Sequence, residues 1–379
     1  MTETLNTYNM RLLVTGGAGF IGSNFCHHWN NKYPHSTIVV LDLLTYAGNK
    51  NNLKTLENKE NFIFIKGDIN DRELVEKLIK ENNINTIVNF AAESHVDRSI
   101  HDPSIFLKTN TIGTHTLLEV ARKVWIDGSN HKVPHRFHHI STDEVYGTLG
   151  PKDLPFTEDS PYAPNSPYAA SKAASDHLVR AYNKTYGLCT SISNCSNNYG
   201  PYQFPEKLIP LIILNILHNR PLPIYGDGQQ IRDWLYVEDH CQGICLILDK
   251  GQAGSNYNIG GNNEYTNLDL VKCICSLLDN LFIENKELQK QYPLMPICNG
   301  KSSLSLIHYV KDRPGHDRRY AIDSNKFDKE LNYKPKHSFE EGIIKTINWY
   351  LENSDWYKPL LEEQYNDWIK KQYGDNFIS

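Results

Sequence analysis

The sequence predicts an α/β fold, a doubly wound parallel sheet with a smaller mixed lobe towards the carboxyl terminus, and three observations predict it. Short runs rich in Val and Ile alternate with longer amphipathic stretches through the first half of the 379 residues. A glycine cluster at residues 16–22 stands where the first run should turn into a helix. Beyond residue 196 the alternation breaks into segments punctuated by Gly-Pro, Phe-Pro and Pro-Leu-Pro. Strand, helix, strand alternation requires crossover connections, and crossovers produce parallel sheets covered by helices on both faces.

The apolar runs place strands at residues 11–15, 37–42, 62–66, 86–91 and 136–141. Between them, residues 72–82 carry Leu74, Val75, Leu78 and Ile79 at helical spacing and read as a crossover helix; residues 111–124 read as another. The first domain is expected over residues 1–196, joined by strand-like 188–193 and a helical return at 239–248. The second lobe falls mostly in 197–330, with one helical run at 206–219, and loops of this kind build binding surfaces. Residues 331–379 are expected to form terminal helices, 339–351 and 356–373, whose aromatics cap the core or meet a partner subunit.

Composition narrows the partners. A formal net charge of −5 without a dense Lys/Arg stretch excludes a nucleic-acid footprint. The longest apolar run, Leu208–Leu217, contains a proline and an asparagine and falls short of the ~20 residues that span a bilayer, so no membrane is expected. Residues 1–10 are polar and lack a signal-peptide pattern, so a cytoplasmic location is expected. Eight cysteines are scattered without metal-ligand or disulfide-framework spacing; even Cys241 and Cys245 lack a second pair, and no metal is expected. The glycosylation-like triplets at Asn183 and Asn194 read as chance matches.

In the glycine cluster, Gly16, Gly19 and Gly22 follow the strand Leu12-Leu13-Val14-Thr15. Missing β-carbons let backbone approach a pyrophosphate, and the helix amino terminus offers free N–H groups and a positive dipole end. Asp42 follows Gly22 by 20 residues at the end of the second strand. A carboxylate there accepts hydrogen bonds from a ribose and repels a 2′-phosphate, which favours NAD over NADP. A strand-end turn is the plain alternative for Asp42. Asp68 and Ile69, after the third strand, could flank the adenine.

The chemistry lies further on. Thr142-Asp143-Glu144 closes an apolar run, and Tyr168 and Lys172 stand four residues apart behind Pro167, on one face of a helix's first turns. A free tyrosine titrates near ~10; a lysine and a cationic nicotinamide nearby favour the phenolate, which can accept a hydroxyl proton as hydride leaves the same carbon. Thr142, at a strand's carboxyl end, could hydrogen-bond the reacting oxygen. Two adjacent carboxyls add an acid and a base, so an oxidised sugar could also lose water.

At these motifs the chain resembles the extended short-chain dehydrogenase/reductase superfamily and, within it, the dTDP-glucose 4,6-dehydratases. The likeness runs through residues 14–22, 42–48, 91–99, Ser-Thr-Asp-Glu-Val-Tyr-Gly at 141–147, Pro-Tyr-Ala-Ala-Ser-Lys at 167–172, 194–202, 232–240 and 312–317. It implies bound NAD at Phe20, Ile21, Asp42, Leu43, Leu44, Thr45, Asp68, Ile69, Ala91, Ala92, Glu93, Ser94, Thr109, Tyr168, Lys172 and Asn198. It implies nucleotide-sugar contacts at His95, Thr142, Asn197, Lys207, Leu208, Pro223, Ile224, Tyr225, Arg232, Asn267, Asp312, Arg313, Pro314, Gly315 and His316. Arg232 and asparagine amides suit a diphosphate and Tyr225 suits a flat base. Alone, Arg232 would equally read as a structural ion pair and His95 as a satisfied loop histidine.

The implied reaction oxidises sugar C4 with Tyr168 as base, eliminates water across C5 and C6 with Glu144 as base and Asp143 as acid, and returns hydride to C6. Asp143 must then stay protonated while Glu144 is ionised. A nucleotide-sugar 4-epimerase would use the same Tyr168 and Lys172 without needing the acidic pair. A sugar-acid decarboxylase and a non-catalytic NAD-sensing regulator are weaker alternatives. Thymine and uracil nucleotides are not distinguished, since one methyl is worth only about 1–3 kcal/mol. Helices at residues 110–124 and 168–186 carry apolar residues on more than one face. In the resembling family such a pair forms a homodimer through a four-helix bundle; intrachain burial is the alternative.

Overall fold

A computed structural model describes residues 7–128, 134–361, 369–370 and 372–373. Its main sheet has seven parallel strands in the order β10-β6-β5-β4-β1-β2-β3. These are β1 (Arg11–Thr15), β2 (Thr37–Asp42), β3 (Phe62–Lys66), β4 (Thr86–Asn89), β5 (Arg136–Thr142), β6 (Thr190–Cys195) and β10 (Asn256–Ile259). The chain winds outward from β1 to β3, then crosses back to β4 on the other side of β1. Such a reversal opens a crevice at the strands' carboxyl ends. The central strands read as nearly continuous apolar runs because both faces are covered.

On one face, helices Phe20–Lys32 and Val237–Lys250 pack together through Phe25, Cys26, Trp29, Cys241, Ile244 and Cys245. On the other, Arg72–Glu81, Thr114–Arg122 and Pro167–Tyr186 bury Val75, Leu78, Leu117, Leu118 and Val179. The helix expected at 111–124 belongs to a helical run from Pro103 to Asp127. Its turns Leu107–Gly113 and Lys123–Asp127 are π-helical. Helix Pro167–Tyr186 begins where the sequence says it should: Ser166 caps the Ala169 N–H at 3.1 Å, Pro167 occupies the first turn, and Gly187 ends it at φ +71°.

The return to the first domain extends past the expected 239–248, from Val237 through β10, which pairs with β6 at the sheet edge. The second lobe is mixed. One sheet joins β7 (Asn197–Tyr199), β9 (Ile231–Tyr236) and β11 (Glu264–Thr266), parallel and antiparallel; another pairs β8 (Leu222–Tyr225) with β12 (Ile307–Val310). Its core gathers helices Leu208–Leu217, Asn267–Glu284 and Phe339–Glu352. The Asn267–Glu284 helix was not singled out in the sequence. Its signals were there: Thr266 caps the Asp269 N–H at 3.0 Å, and Leu270, Val271, Ile274, Cys275, Leu278 and Phe282 repeat at helical spacing. Of the run expected at 356–373, short turns Ser354–Tyr357 and Lys358–Leu361 are present, while 362–368 and 371 lie outside the described residues.

Candidate active site

The glycine cluster forms the floor of a cleft at the carboxyl ends of β1, β2, β4 and β5. Gly16 adopts φ +68°, and a β-carbon there would stand 2.6 Å from the Ala91 nitrogen. A β-carbon on Gly22 would collide with the Gly16 carbonyl. The close approach of turn, helix and β4 loop therefore requires glycine at both positions. No side chain caps helix Phe20–Lys32 at Gly19, which leaves its first N–H groups facing the cleft.

Asp42 is buried and takes N–H bonds from Ala18 at 2.9 Å and Leu44 at 2.8 Å, one on each carboxylate oxygen. It braces the glycine turn, as the plain reading suggested, and each oxygen keeps a lone pair for a ribose hydroxyl. Leu43, Thr45, Asp68, Ile69, Ala91, Ala92, Glu93, Ser94, Thr109, Asn197 and Asn198 also line the cleft with Phe20 and Ile21. Leu44, at φ +56°, instead packs beneath it. This wall fits an extended dinucleotide: a pyrophosphate against free N–H groups and a ribose against Asp42.

Thr142, Glu144, Tyr168 and Lys172 meet at the inner end of the same cleft. Thr142 closes β5, and its hydroxyl accepts the Glu144 N–H and donates to Asp143, both at 3.3 Å. Burial, then the charge of Glu144, raises the Tyr168 phenol well above its usual range, while Thr142 lowers it. Lys172 donates to the Ile140 carbonyl at 2.7 Å. Burial pulls its ammonium down to about 8.

Asp143 and Glu144 are adjacent but differently placed. Asp143 is fully buried, its Oδ2 makes no hydrogen bond within the protein, and burial, Glu144 and Asp233 push its carboxyl well above the usual range. Burial also raises Glu144, but Arg313, Arg232 and Lys207 oppose that rise. Of the two, Asp143 is therefore the more readily kept neutral and Glu144 the more readily ionised, the order that acid–base elimination needs.

The second lobe supplies those cations. Lys207 reaches the Ser94 carbonyl at 3.1 Å; Arg313 donates to Asp97 at 2.7 Å, and Tyr225 donates to the same carboxylate at 3.1 Å. Arg232 lies over the Tyr320 ring at 4.3 Å and donates to the Ile231 and Asp317 carbonyls, and among the described residues it has no carboxylate partner in an ion pair. Asp312 bridges His316 at 2.6 Å and Gln230 at 3.0 Å. Pro314 and Gly315 are exposed in the same loop, and Asn267 hydrogen-bonds Gln230 through its backbone. His95 is buried 3.9 Å from Glu206. Leu208 and Ile224 pack into the lobe core and Pro223 is buried beside them, so these three present backbone rather than side chain.

Over residues 13–346 the chain matches the GDP-mannose 4,6 dehydratase family. It belongs to that family. Within it, the chain is 50% identical over 373 residues to the dTDP-glucose 4,6-dehydratase of Salmonella typhimurium, covering 96% of this chain and 99% of that one. The crystal structure of dTDP-glucose 4,6-dehydratase from Bacillus anthracis, in complex with NAD, is 47% identical with a TM-score of 0.80, covering 93% of this chain and 99% of that one. The UDP-glucose 4-epimerase of Thermotoga maritima shares the fold at 27% identity and a TM-score of 0.75, over 91% of this chain and all of that one. The chain is thus a family member of the dTDP-glucose 4,6-dehydratase type.

Residues of this family member that the sequence reading missed include Asn110. Its amide pairs with both the N–H and the carbonyl of Glu93, at 2.8 and 3.0 Å, and donates to Ser171 at 2.8 Å. It ties the β4 loop to the Tyr168 helix from inside a π-helical turn, and one asparagine among Lys108, Thr109 and Thr111 gives no pattern to find. Glu206 was also missed. It is buried, ion-paired to Arg98 at 3.1 Å, and lines the cleft. Among the described residues no group of three or more acidic, His or Cys side chains could hold a metal, and no helix is long and apolar enough to cross a membrane.

Proposed function

We propose that this chain is an NAD-dependent dehydratase that converts dTDP-glucose to its 4-keto-6-deoxy sugar and water. The observation that carries the reading is the split pair Asp143 and Glu144, placed by the end of β5 beside Tyr168. An epimerase of the same fold has no use for it.

Bound NAD supplies the acceptor, and later the donor, of a hydride. Gly16, Gly19, Gly22 and the free helix terminus would hold its pyrophosphate, and Asp42 its ribose. Tyr168 accepts the sugar O4 proton as C4 is oxidised. Its phenol is raised by burial in the protein alone, so the positive nicotinamide ring, together with Lys172, has to favour its ionised form. The C4 ketone acidifies C5, whose proton Glu144 removes. Asp143 gives its proton to the departing C6 hydroxyl, which leaves as water. Glu144 returns its proton to C5, and the proton left on Tyr168 replaces, through solvent, the one Asp143 lost. One water leaves and every protein group is restored.

Arg232, Arg313 and Lys207 offer the diphosphate three cations, and Tyr225 offers the base a ring. Eight free cysteines suit a reducing compartment, in line with a cytoplasmic site of action. A homodimer completes the reading: on the Pro103 to Asp127 helical run Leu107 and Ile112 are 53% and 54% exposed, Ile105 on the same run is exposed, and so is Tyr186 at the end of helix Pro167–Tyr186. Within one chain the described residues leave these side chains uncovered, and a second copy of the two helices would cover them. Light scattering should give twice the 43.5 kDa chain mass; a monomer unchanged on concentration would reject the dimer.

The test of function is direct. Purified protein given dTDP-glucose should form a 4-keto product with loss of water and no net reduced nicotinamide. Stoichiometric release of reduced cofactor would refute the reading.

A further inference from the structure

Behind the base lies a buried polar chain that the dehydration steps leave unused. Tyr168, Lys172 and Asp176 follow at i, i+4 along helix Pro167–Tyr186 and form one buried stripe. His139 and Ser141, two residues apart on one side of β5, face it. Lys172 Nζ stands 3.2 Å from His139 Nε2, which stands 3.5 Å from Asp176 Oδ1. Asp176 Oδ2 accepts from Ser141 at 2.7 Å, Tyr162 at 3.0 Å and Asn194 at 3.3 Å. Its Oδ1 makes no hydrogen bond and is turned to the imidazole. None of the three side chains exceeds 3% exposure. One carboxylate oxygen is thus fixed by three donors while the other is aimed at an imidazole that touches the lysine.

We propose that Asp176, acting by its charge from one turn along the buried stripe, is a positioning residue for the Tyr168–Lys172 pair: it keeps the buried lysine cationic and anchored on β5, and thereby sets how low in pH the sugar hydroxyl can be deprotonated. The inference rests on the functional reading above, because it concerns the first oxidation.

The surrounding charges agree with this geometry. Burial lowers Lys172 to about 8, and Asp176 followed by Cys195 opposes that fall. Burial raises Asp176 to about 6, opposed first by Lys172. Burial, Lys172 and His138 hold His139 well below its usual value, so it stays neutral. The groups facing Lys172 are His139 from β5, Cys195 from β6 and Asp176 from its own helix; Tyr168, one turn earlier, faces Glu144, Cys195 and Asp143. Tyr146 and Tyr162 face Asp176, and Asp143 lies beyond Cys195. Burial pushes Cys195 up to about 12, and raises both tyrosines and Asp143. Among the groups facing Lys172, Asp176 opposes the fall of the ammonium first.

The experiment follows reduced-nicotinamide absorbance in a single turnover of the NAD-loaded enzyme with dTDP-glucose, as a function of pH. Asp176→Asn should move the rising limb of the oxidation rate to higher pH by roughly one unit, about a tenfold loss near the wild-type midpoint, with KM unchanged. Asp176→Glu, which keeps the charge, should restore part of it. A purely structural role would lower the rate equally at every pH. Should Asp176→Asn not fold, Ser141→Ala weakens one bond to the carboxylate and should give a smaller shift of the same sign. A limb unmoved in the variants that fold overturns the proposal. If the wild type itself forms no reduced nicotinamide, the functional reading fails instead.

Discussion

The two walls of the cleft are built in opposite ways. The sheet wall takes its groups from short stretches at neighbouring strand ends, and fixes them through backbone: Asp42 on two N–H groups, Lys172 on a carbonyl, Thr142 on the Glu144 N–H. The lobe wall collects Lys207, Tyr225, Arg232 and Arg313 from separate loops and from strands β8 and β9, and holds its arginines on the protein's own acceptors, the carboxylate of Asp97 from the first domain and the Ile231 and Asp317 carbonyls. The first wall is preorganised for chemistry. The second is a set of cations in contacts that a diphosphate must join or displace. Variants on the sheet wall should therefore cost turnover, and variants on the lobe wall should cost binding.

The largest effect is expected at Glu144. Glu144→Gln should slow elimination by roughly 10²–10⁴-fold while sparing the first oxidation, so that reduced cofactor and a 4-keto sugar accumulate on the enzyme. Dehydration at the wild-type rate would remove Glu144 from its role. Asp143→Asn should cost about 10²-fold with a C6 hydroxyl and distinctly less with a 6-fluoro sugar, whose leaving group needs no proton. Equal impairment on both substrates would exclude Asp143 as the acid.

The pH profile sharpens the same pair. Turnover needs Glu144 ionised and Asp143 neutral, so it falls at low pH as Glu144 gains a proton and at high pH as Asp143 loses one. Burial raises both, Asp143 the further, so both limbs that belong to this pair should lie above the ordinary carboxylate range. Initial rates of wild type and Asp143→Asn over the same range check this, the variant losing the alkaline limb.

On the lobe wall, Arg313→Gln should raise KM roughly 10- to 100-fold through loss of a charge-assisted contact, with a smaller change in kcat. A fall in kcat at constant KM would place Arg313 in the chemistry and blur the contrast between the walls. The smallest effect is expected at Asp42. Asp42→Asn turns an amide towards one of two N–H donors, and should lower unfolding free energy by about 1–3 kcal/mol together with NAD retention on gel filtration. Unchanged stability would mean that the carboxylate does not brace the glycine turn.

The same contrast explains what the sequence made legible. Six strands of the main sheet, the glycine turn and the Tyr168 helix were readable because each is signalled by neighbours: apolar runs, a cap at Ser166, a proline at the first turn. The lobe's contacts are long-range, such as Asp97 with Arg313, and no local period encodes them. Their residues entered only through the resemblance. Asn110 and the His139–Asp176 contact were invisible for the same reason, since their partners lie on other elements far along the chain. The ionisation of the acidic pair was also beyond sequence, because it depends on which carboxyl faces Asp233 and which faces Arg313.

The central claim is that hydride leaves C4 and returns to C6 within one active site. It is tested most directly with dTDP-glucose deuterated at C4, followed by nuclear magnetic resonance of the product. The account predicts deuterium at C6 of a 4-keto-6-deoxy sugar, with none released on free cofactor. Deuterium found again at C4 of an intact hexose would mark an epimerase and contradict it.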